Sequence, residues 1–196
     1  TFYREPKTRY TAIQQWFPAG ENRAPFYSCI FDPVTSESCS WIIRKDDTLI
    51  FGGCFSPQDS REAYNRQKSR LEEYLGHSLG RPIKTEACQA VRPRGFSDFI
   101  TGRDGVYLIG EAAGFISASS FEGISSAIRS GSALAEAMSQ ADDDRELARF
   151  YRRKTTSLRL KLWLKTIKRW FMYTPWVRHI IMRLGLAAIH VEQENK

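Results

Sequence analysis

The stretch from Val106 to Gly131 contains the residues best suited to bind a ligand. A short apolar run ends at Gly110, and Glu111 follows it with a carboxylate that can accept hydrogen bonds from the hydroxyls of a sugar or polyol. Ala112 and Gly114 add almost no side-chain bulk, so a ligand can approach the backbone closely. This part of the sequence therefore predicts a site at the end of a strand.

A helix is predicted to begin just after this segment, at about Glu122, and to run to Met138. Its interior is rich in Ser, Ala and Gly, which is typical of a helix that packs closely against its neighbours. The free N–H groups and the positive dipole end of such a helix stabilise negative charge. Glu122, Gly123 and Ile124 would present that end to the same ligand.

Together these features resemble the second FAD motif of the hydroxylase-like flavoproteins, in which G-D-A-A-G, a loop, G-E-G-I and a small-residue helix follow one another. The resemblance is greatest to the geranylgeranyl reductase family and its relatives. Two earlier segments, Tyr10–Phe17 and Cys39–Lys45, resemble that family's entry into the substrate domain and its aromatic Y-x-W-x-F-P-K segment. The resemblance extends over roughly residues 8 to 140.

The resemblance implies FAD as cofactor and no metal, and it assigns no catalytic side chain and no electron donor. Gly110 and Glu111 would contact the ribityl and pyrophosphate part of FAD, and the turn around Gly123 would lie under the isoalloxazine. Trp41 and Ile43 would face a long apolar substrate pocket. The full set of expected cofactor-binding residues is Gly110, Glu111, Ala112, Gly114, Glu122, Gly123 and Ile124.

Three positions depart from the family pattern. Glu111 stands where Asp is usual, Ala118 where Pro is frequent, and Ile43-Arg44 where Phe-Pro is usual. In addition, the sequence contains no G-x-G-x-x-G, the fingerprint that holds the pyrophosphate in the family. We therefore expect this chain to be the C-terminal part of a longer protein.

The composition narrows the class of protein. The chain has 196 residues, 42% of them hydrophobic, and a formal charge of +7 that is concentrated between Arg145 and Arg183. Its four cysteines form no C-x-x-C, and its three histidines are isolated from acids at useful spacing. The sequence thus offers neither a disulfide framework nor a metal site nor a nucleophile–histidine–acid set. No apolar run is long enough to span a membrane, and we expect a cytoplasmic protein.

The basic segment near the C-terminus has an apolar helical stripe, and Pro175 should break or restart that helix. Such a helix can lie in an anionic membrane interface, which would suit an enzyme with a lipid substrate. It can equally be a hairpin docked on its own domain with a solvated basic face. The stripe consists of Leu160, Trp163, Leu164, Ile167, Trp170 and Phe171.

The expected fold is α/β, or α+β over these 196 residues: a piece of an FAD-binding domain, an antiparallel substrate-domain sheet and a helical C-terminal tail. We expect substrate-domain, flavin-motif and tail regions at residues 1–95, 96–144 and 145–196. The predicted strands are Tyr10–Phe17, Phe26–Phe31, Cys39–Arg44, Thr48–Phe55, Ile83–Val91 and a buried one over Gly105–Gly110, with a helix from about Ser60 to Leu75.

The predicted function is FAD-dependent hydride transfer to or from an apolar, isoprenoid or lipid, substrate. One alternative keeps the flavin but makes the protein a monooxygenase or halogenase. Another is a non-catalytic scaffold that binds membrane or nucleic acid through its basic tail, although no specific nucleic acid is expected.

Overall fold

An antiparallel sheet of five strands forms the first half of the molecule. The structure, a computed structural model, describes residues 8–19, 27–36 and 38–184. The strand order is β2-β3-β4-β1-β5, so the longest strand lies inside the sheet and the last one at its edge. The strands are β1 (Thr8–Pro18), β2 (Tyr27–Ile30), β3 (Ser40–Lys45), β4 (Thr48–Phe55) and β5 (Lys84–Arg92).

The five predicted strands of this sheet are present, with ends shifted by two residues at most, and Phe26 lies outside the described residues. Strands β2, β3 and β4 form an antiparallel meander. However, β1 does not begin that meander. It is hydrogen-bonded to β4 on one side and to β5 on the other, for example through Ile13 opposite both Gly53 and Ala87.

One face of the sheet is covered by helix α1 (Ser60–Leu75). Alternate residues of the strands point to this face and form a buried core with Tyr64 and Leu71 of the helix. The Tyr64 hydroxyl donates to Gln15 Oε1 across 2.9 Å. The helix ends at Gly76, whose φ of 75° is a left-handed conformation that favours glycine. The sheet residues of this core are Ile13, Phe17, Ile42, Leu49, Phe51 and Phe55.

The predicted buried strand over Gly105–Gly110 is wrong. Only Val106–Tyr107 (β7) is a strand, and it pairs with Gly102–Arg103 (β6) in a two-residue hairpin. Val106 and Ile109 are exposed, while Leu108 alone packs against a core cluster. One further hydrogen bond extends the hairpin, since Leu108 N–H donates to the carbonyl of Thr101 across 3.0 Å, and the chain then turns at Gly110.

Four helices complete the described chain. The small-residue helix α2 begins at Ile124, two residues later than predicted. Proline at the first position of α5 confirms that Pro175 restarts the helix. Helix α4 packs on a second core of Phe99, Ala113, Phe115, Leu158 and Leu162. No helix among the described residues is long and apolar enough to cross a membrane. The helices are α2 (Ile124–Met138), α3 (Asp144–Lys154), α4 (Thr156–Tyr173) and α5 (Pro175–Arg183).

Candidate functional site

A tight turn from Gly110 to Gly114 is docked directly on helix α2. Gly110 has a φ of 55°, and a Cβ at this position would lie 3.0 Å from Ala127 Cβ. Its N–H donates to Ser130 Oγ across 2.9 Å, and that hydroxyl donates to the carbonyl of Ala127. Gly110 therefore has to be glycine, both for its backbone conformation and for its close approach to α2.

The turn closes on itself through its own backbone. The N–H groups of Gly114 and Phe115 donate to the carbonyls of Glu111 and Gly110, across 2.8 and 2.9 Å. Gly114 has a φ of 78°. The side chains of Glu111 and Ala112 remain exposed, whereas the chain after Ala112 is buried. The turn thus presents one carboxylate and one methyl group on an open surface.

The N-terminus of α2 lies beside this turn. Gly123 precedes the first helical residue, and no side chain caps the helix there. The loop before it folds back, because Ser117 N–H donates to the carbonyl of Glu122 across 3.0 Å. A Cβ added at Gly123 would meet nothing nearer than Ile116, at 3.7 Å. The backbone at this point is therefore open on its outer side.

Two side chains at the start of α2 differ in their contacts and exposure. The Glu122 carboxylate is engaged, since it accepts a hydrogen bond from Ser125 and lies 3.6 Å from Lys165 Nζ. Ile124 is 79% exposed, and Ile128 one turn later is also exposed. An apolar, accessible strip thus follows the helix start.

The structure brings the seven expected cofactor residues together in two adjacent segments, 110–114 and 122–124. Trp41 and Ile43 lie elsewhere, on β3, with β4, β1 and β5 between them and the turn. At about 4.8 Å per strand that separation is roughly 14 Å. The turn reaches the near edge of the sheet, because Val91 N–H of β5 donates to Glu111 Oε1 across 3.1 Å.

Trp41 and Ile43 occupy the sheet face opposite α1, since their neighbour Ile42 points into the α1 core. The Trp41 indole lies over Gly52, where a Cβ would come within 2.7 Å of the ring. Its Nε1–H donates to Gln14 Oε1 across 2.8 Å. The indole is thus fixed as part of a half-buried apolar surface.

The sequence did not single out a cluster around Arg92 at the end of β5. This side chain is only 1% exposed, and its guanidinium lies 4.4 Å from the ring centre of Tyr10 and 4.7 Å from that of Phe121. Burial lowers its pKa. Of the three arginines around this part of the chain, Arg92, Arg94 and Arg103, only Arg92 is buried.

Tyr173 of α4 ties this cluster to the loop before α2. Its hydroxyl donates to the carbonyl of Ser119 across 2.6 Å and accepts from the N–H of Cys39 across 3.2 Å. The Arg92 guanidinium lies 5.5 Å from its ring centre. One side chain therefore joins helix α4, the sheet and the 117–122 loop.

Comparison with known proteins gives two kinds of match. No protein-family model matches the chain. Protein CbrA of Escherichia coli O6:H1 is 42% identical over 181 residues, covering 92% of this chain and 48% of that protein. Protein CbrA of Shigella sonnei is 41% identical, covering 92% of this chain and 50% of that protein. The chain thus spans about half the length of these curated relatives.

Solved structures resemble the chain in fold. A geranylgeranyl bacteriochlorophyll reductase-like protein from Thermoplasma acidophilum superposes with a TM-score of 0.68 at 14% identity, over 89% of this chain and 45% of that one. The chain shares its fold with flavin-dependent enzymes. A probable FAD-dependent monooxygenase from Pseudomonas aeruginosa has a TM-score of 0.60 at 13% identity, over 96% of this chain and 54% of that one. A flavin-dependent halogenase from Xanthomonas campestris has a TM-score of 0.55 at 13% identity, over 96% of this chain and 39% of that one.

These matches confirm the predicted fold class, a mixed α/β arrangement of antiparallel sheet and helices. At 13 to 14% identity the structural matches show the fold alone. Among the described residues, no group of His, Cys, Asp and Glu could hold a metal ion.

Proposed function

We propose that this chain supplies the flavin-ring side of an FAD site and acts as an FAD-dependent oxidoreductase. The observation that carries the proposal is the Gly110–Gly114 turn docked on α2, with exposed Glu111 and Ala112 beside an uncapped helix start. The shared fold with flavin-dependent enzymes supports it.

The residues present fit a flavin. One oxygen of Glu111 is engaged by Val91, which leaves the other for ribityl hydroxyls. The open backbone at Gly123 and the exposed side chain of Ile124 offer a flat, partly apolar surface for a ring. The adenosine end of FAD requires contacts beyond these residues, because all of them lie at one turn and one helix start.

When bound, the flavin would supply hydride transfer. The chain's own residues would orient and polarise it. The first N–H groups of α2, which no side chain caps, would stabilise negative charge at the edge of the ring. The small residues Ala112 and Gly114 would let the cofactor approach the backbone. The sheet face bearing Trp41 and Ile43 would receive an apolar, isoprenoid or lipid, substrate.

A monooxygenase or halogenase reaction is the alternative, because two of the fold relatives carry those descriptions. We favour the reductase because the protein with the TM-score of 0.68 is described as reductase-like. Oxygen consumption during turnover by the flavin-loaded protein separates the two. A reductase turns over its substrate under anaerobic conditions, whereas a monooxygenase or halogenase needs oxygen.

We also propose that α4 contacts a membrane surface. Its docked side carries Leu158 and Leu162, and the predicted apolar stripe lies on the opposite side, exposed by 36 to 58%. The exposed Lys161 and Lys168 flank the stripe. Trp, Phe and Lys arranged in this way on one helix suit the interface of an anionic bilayer.

Sedimentation with vesicles containing anionic lipid tests the membrane contact. Trp163→Ser combined with Trp170→Ser should weaken binding, while Trp176→Ser, which changes an exposed tryptophan on α5, should not. Part of the binding should persist at high salt, because apolar burial is not screened. Binding to duplex DNA that exceeds vesicle binding and disappears with salt would instead support the nucleic-acid alternative.

Visible absorbance retained after gel filtration with FAD tests the flavin site. A longer chain that also supplies the adenosine contacts should retain flavin, and Gly123→Val in that chain should lose it without unfolding, since a Cβ fits there. Gly95→Val is the matched control, because Gly95 also has a negative φ, and an added Cβ there would meet nothing within 4 Å. Equal flavin retention by both variants would refute the assignment of Gly123.

A further inference from the structure

A cavity of about 290 Å³ lies between the segment that joins β2 to β3, the end of β5, and helices α4 and α5. Three arginines from three different elements line it: Arg92, Arg169 and Arg178. Ser36 and Ser38 add two hydroxyls. Three guanidinium groups around one cavity repel each other unless negative charge neutralises them.

Arg92 is the most deeply buried of these cations. Its Nη1 donates to the Tyr10 hydroxyl across 2.8 Å, but its Nε and Nη2 have no hydrogen-bond partner among the described residues. The surrounding rings of Tyr10, Phe121 and Tyr173 attract the cation without satisfying its N–H groups. A buried guanidinium stays protonated, so it needs an acceptor from another source.

The acid in the cavity wall does not fill this role. Asp32 Oδ2 lies 2.7 Å from Arg70 Nε, and its other oxygen accepts the N–H of Val34 across 3.1 Å. Arg178 Nη1 donates to the carbonyl of Met172 across 3.0 Å, and its guanidinium lies 4.6 Å from the ring centre of Phe31. The positive charge of the cavity is therefore not neutralised by these residues.

We propose that this cavity binds a phosphate-type oxyanion, either free or as the headgroup of an amphiphile. Guanidinium groups match the geometry of phosphate oxygens, and serine hydroxyls are common additional donors. A second cavity of about 1020 Å³ shares the Phe31–Pro33 wall and is lined by Ile30, Ile42 and Leu71, among others. This neighbour has room for the apolar chain of a phosphorylated ligand. The proposed anion site does not depend on the flavin proposal, because none of its lining residues belongs to segments 110–114 or 122–124.

Isothermal titration of the 196-residue chain at constant ionic strength tests the site. The probes are inorganic phosphate and dodecyl phosphate, the latter below its critical micelle concentration. Arg169→Ala should weaken both by about tenfold or more, because it removes a charge-assisted hydrogen bond. Arg153→Ala is the matched control: it removes the same charge from α3, where Arg153 is exposed and does not line the cavity.

The two probes distinguish the sources of the anion. Dodecyl phosphate binding more than tenfold tighter than phosphate assigns the site to an amphiphile, and equal affinities assign it to free phosphate. Arg92→Gln should also abolish binding; if it fails to fold, the Arg169→Ala result decides. Failure of the wild-type chain to bind either probe, or equal weakening by Arg153→Ala and Arg169→Ala, would overturn the proposal.

Discussion

The backbone N–H of Val91 donates a hydrogen bond to the Glu111 carboxylate across 3.1 Å. Val91 lies on β5, an edge strand whose outer N–H groups have no neighbouring strand to pair with in the described part of the chain. This hydrogen bond engages one oxygen of the carboxylate, and the Glu111 side chain is exposed. A structural role and a proposed ligand role therefore meet in one side chain.

Substitution of Glu111 should separate these two roles. Glu111→Ala removes the acceptor of Val91 and should lower the free energy of unfolding by about 1 kcal/mol. Glu111→Gln keeps an acceptor oxygen and should retain most of that stability. Urea denaturation measures both variants. If Glu111→Gln is as destabilised as Glu111→Ala, the charge rather than the hydrogen bond holds the turn to the sheet.

Gly52→Ala should disturb the proposed substrate face. Its new Cβ would come within 2.7 Å of the Trp41 indole, which is held by Gln14 and cannot simply rotate away. Overpacking of this kind costs about 1 to 3 kcal/mol. Thermal unfolding measures the loss, and tryptophan fluorescence reports the displaced ring. The control, Gly95→Ala, adds a Cβ in open space and should change stability little; a wild-type-like Gly52→Ala would contradict the predicted contact.

Alkaline unfolding should depend on Tyr151. Burial raises the pKa of its hydroxyl to about 12, and the hydroxyl donates to the Leu108 carbonyl across 2.7 Å. In the unfolded chain that pKa is about 10. The stabilisation from the protonated group is complete below pH 10 and is lost as pH rises from 10 through 12.

The test of this prediction is the unfolding free energy as a function of pH for wild type and Tyr151→Phe. The variant should be about 1 kcal/mol less stable at neutral pH, because one hydrogen bond is gone. Its stability should fall less steeply across the alkaline window. Parallel curves for the two proteins would show that Tyr151 does not titrate in that range.

Cys29 should be the most reactive thiol at mildly acidic pH. Hydrogen bonds from Cys39 and Tyr27 lower the pKa of its thiol to about 6, although burial opposes the shift. The thiolate is the nucleophile, so the rate of alkylation should rise through pH 6. Mass spectrometry after brief iodoacetamide treatment locates the modified residue.

Cys39→Ala removes the hydrogen bond that lowers the pKa of Cys29 most. The midpoint of the alkylation rate against pH should then move toward the pKa of a free thiol, about 8.5. Tyr27→Phe should move it less. A wild-type midpoint near 8.5 would contradict the prediction.

Local patterns in the sequence predicted the strands of the sheet well. Thr48–Phe55 was predicted with the ends that the structure gives it, because turn residues bound it on both sides. The place of β1 between β4 and β5 could not be predicted in this way. Strand order depends on which edges meet in the folded chain, and alternation within one strand carries no information on that.

The predicted buried strand over Gly105–Gly110 failed for a related reason. A short apolar run suggests burial, but Val106 and Ile109 are 50% and 43% exposed. For the candidate site, the motif brought together the right segments, 110–114 and 122–124. It could not reveal that Val91 would bind Glu111, or that Arg92 would be buried, because both depend on contacts between distant parts of the chain.

The Tyr173 hydroxyl, which joins Ser119 to Cys39, has a thermodynamic consequence. If the 117–122 loop rearranges when a ligand binds at α2, Tyr173 and the end of α4 must adjust with it. If α4 binds a bilayer and shifts, Tyr173 shifts with it, and the 117–122 loop must adjust through the same hydrogen bonds. Linkage then requires each event to change the affinity of the other by the same factor, so lipid attachment and cofactor loading would be one coupled equilibrium.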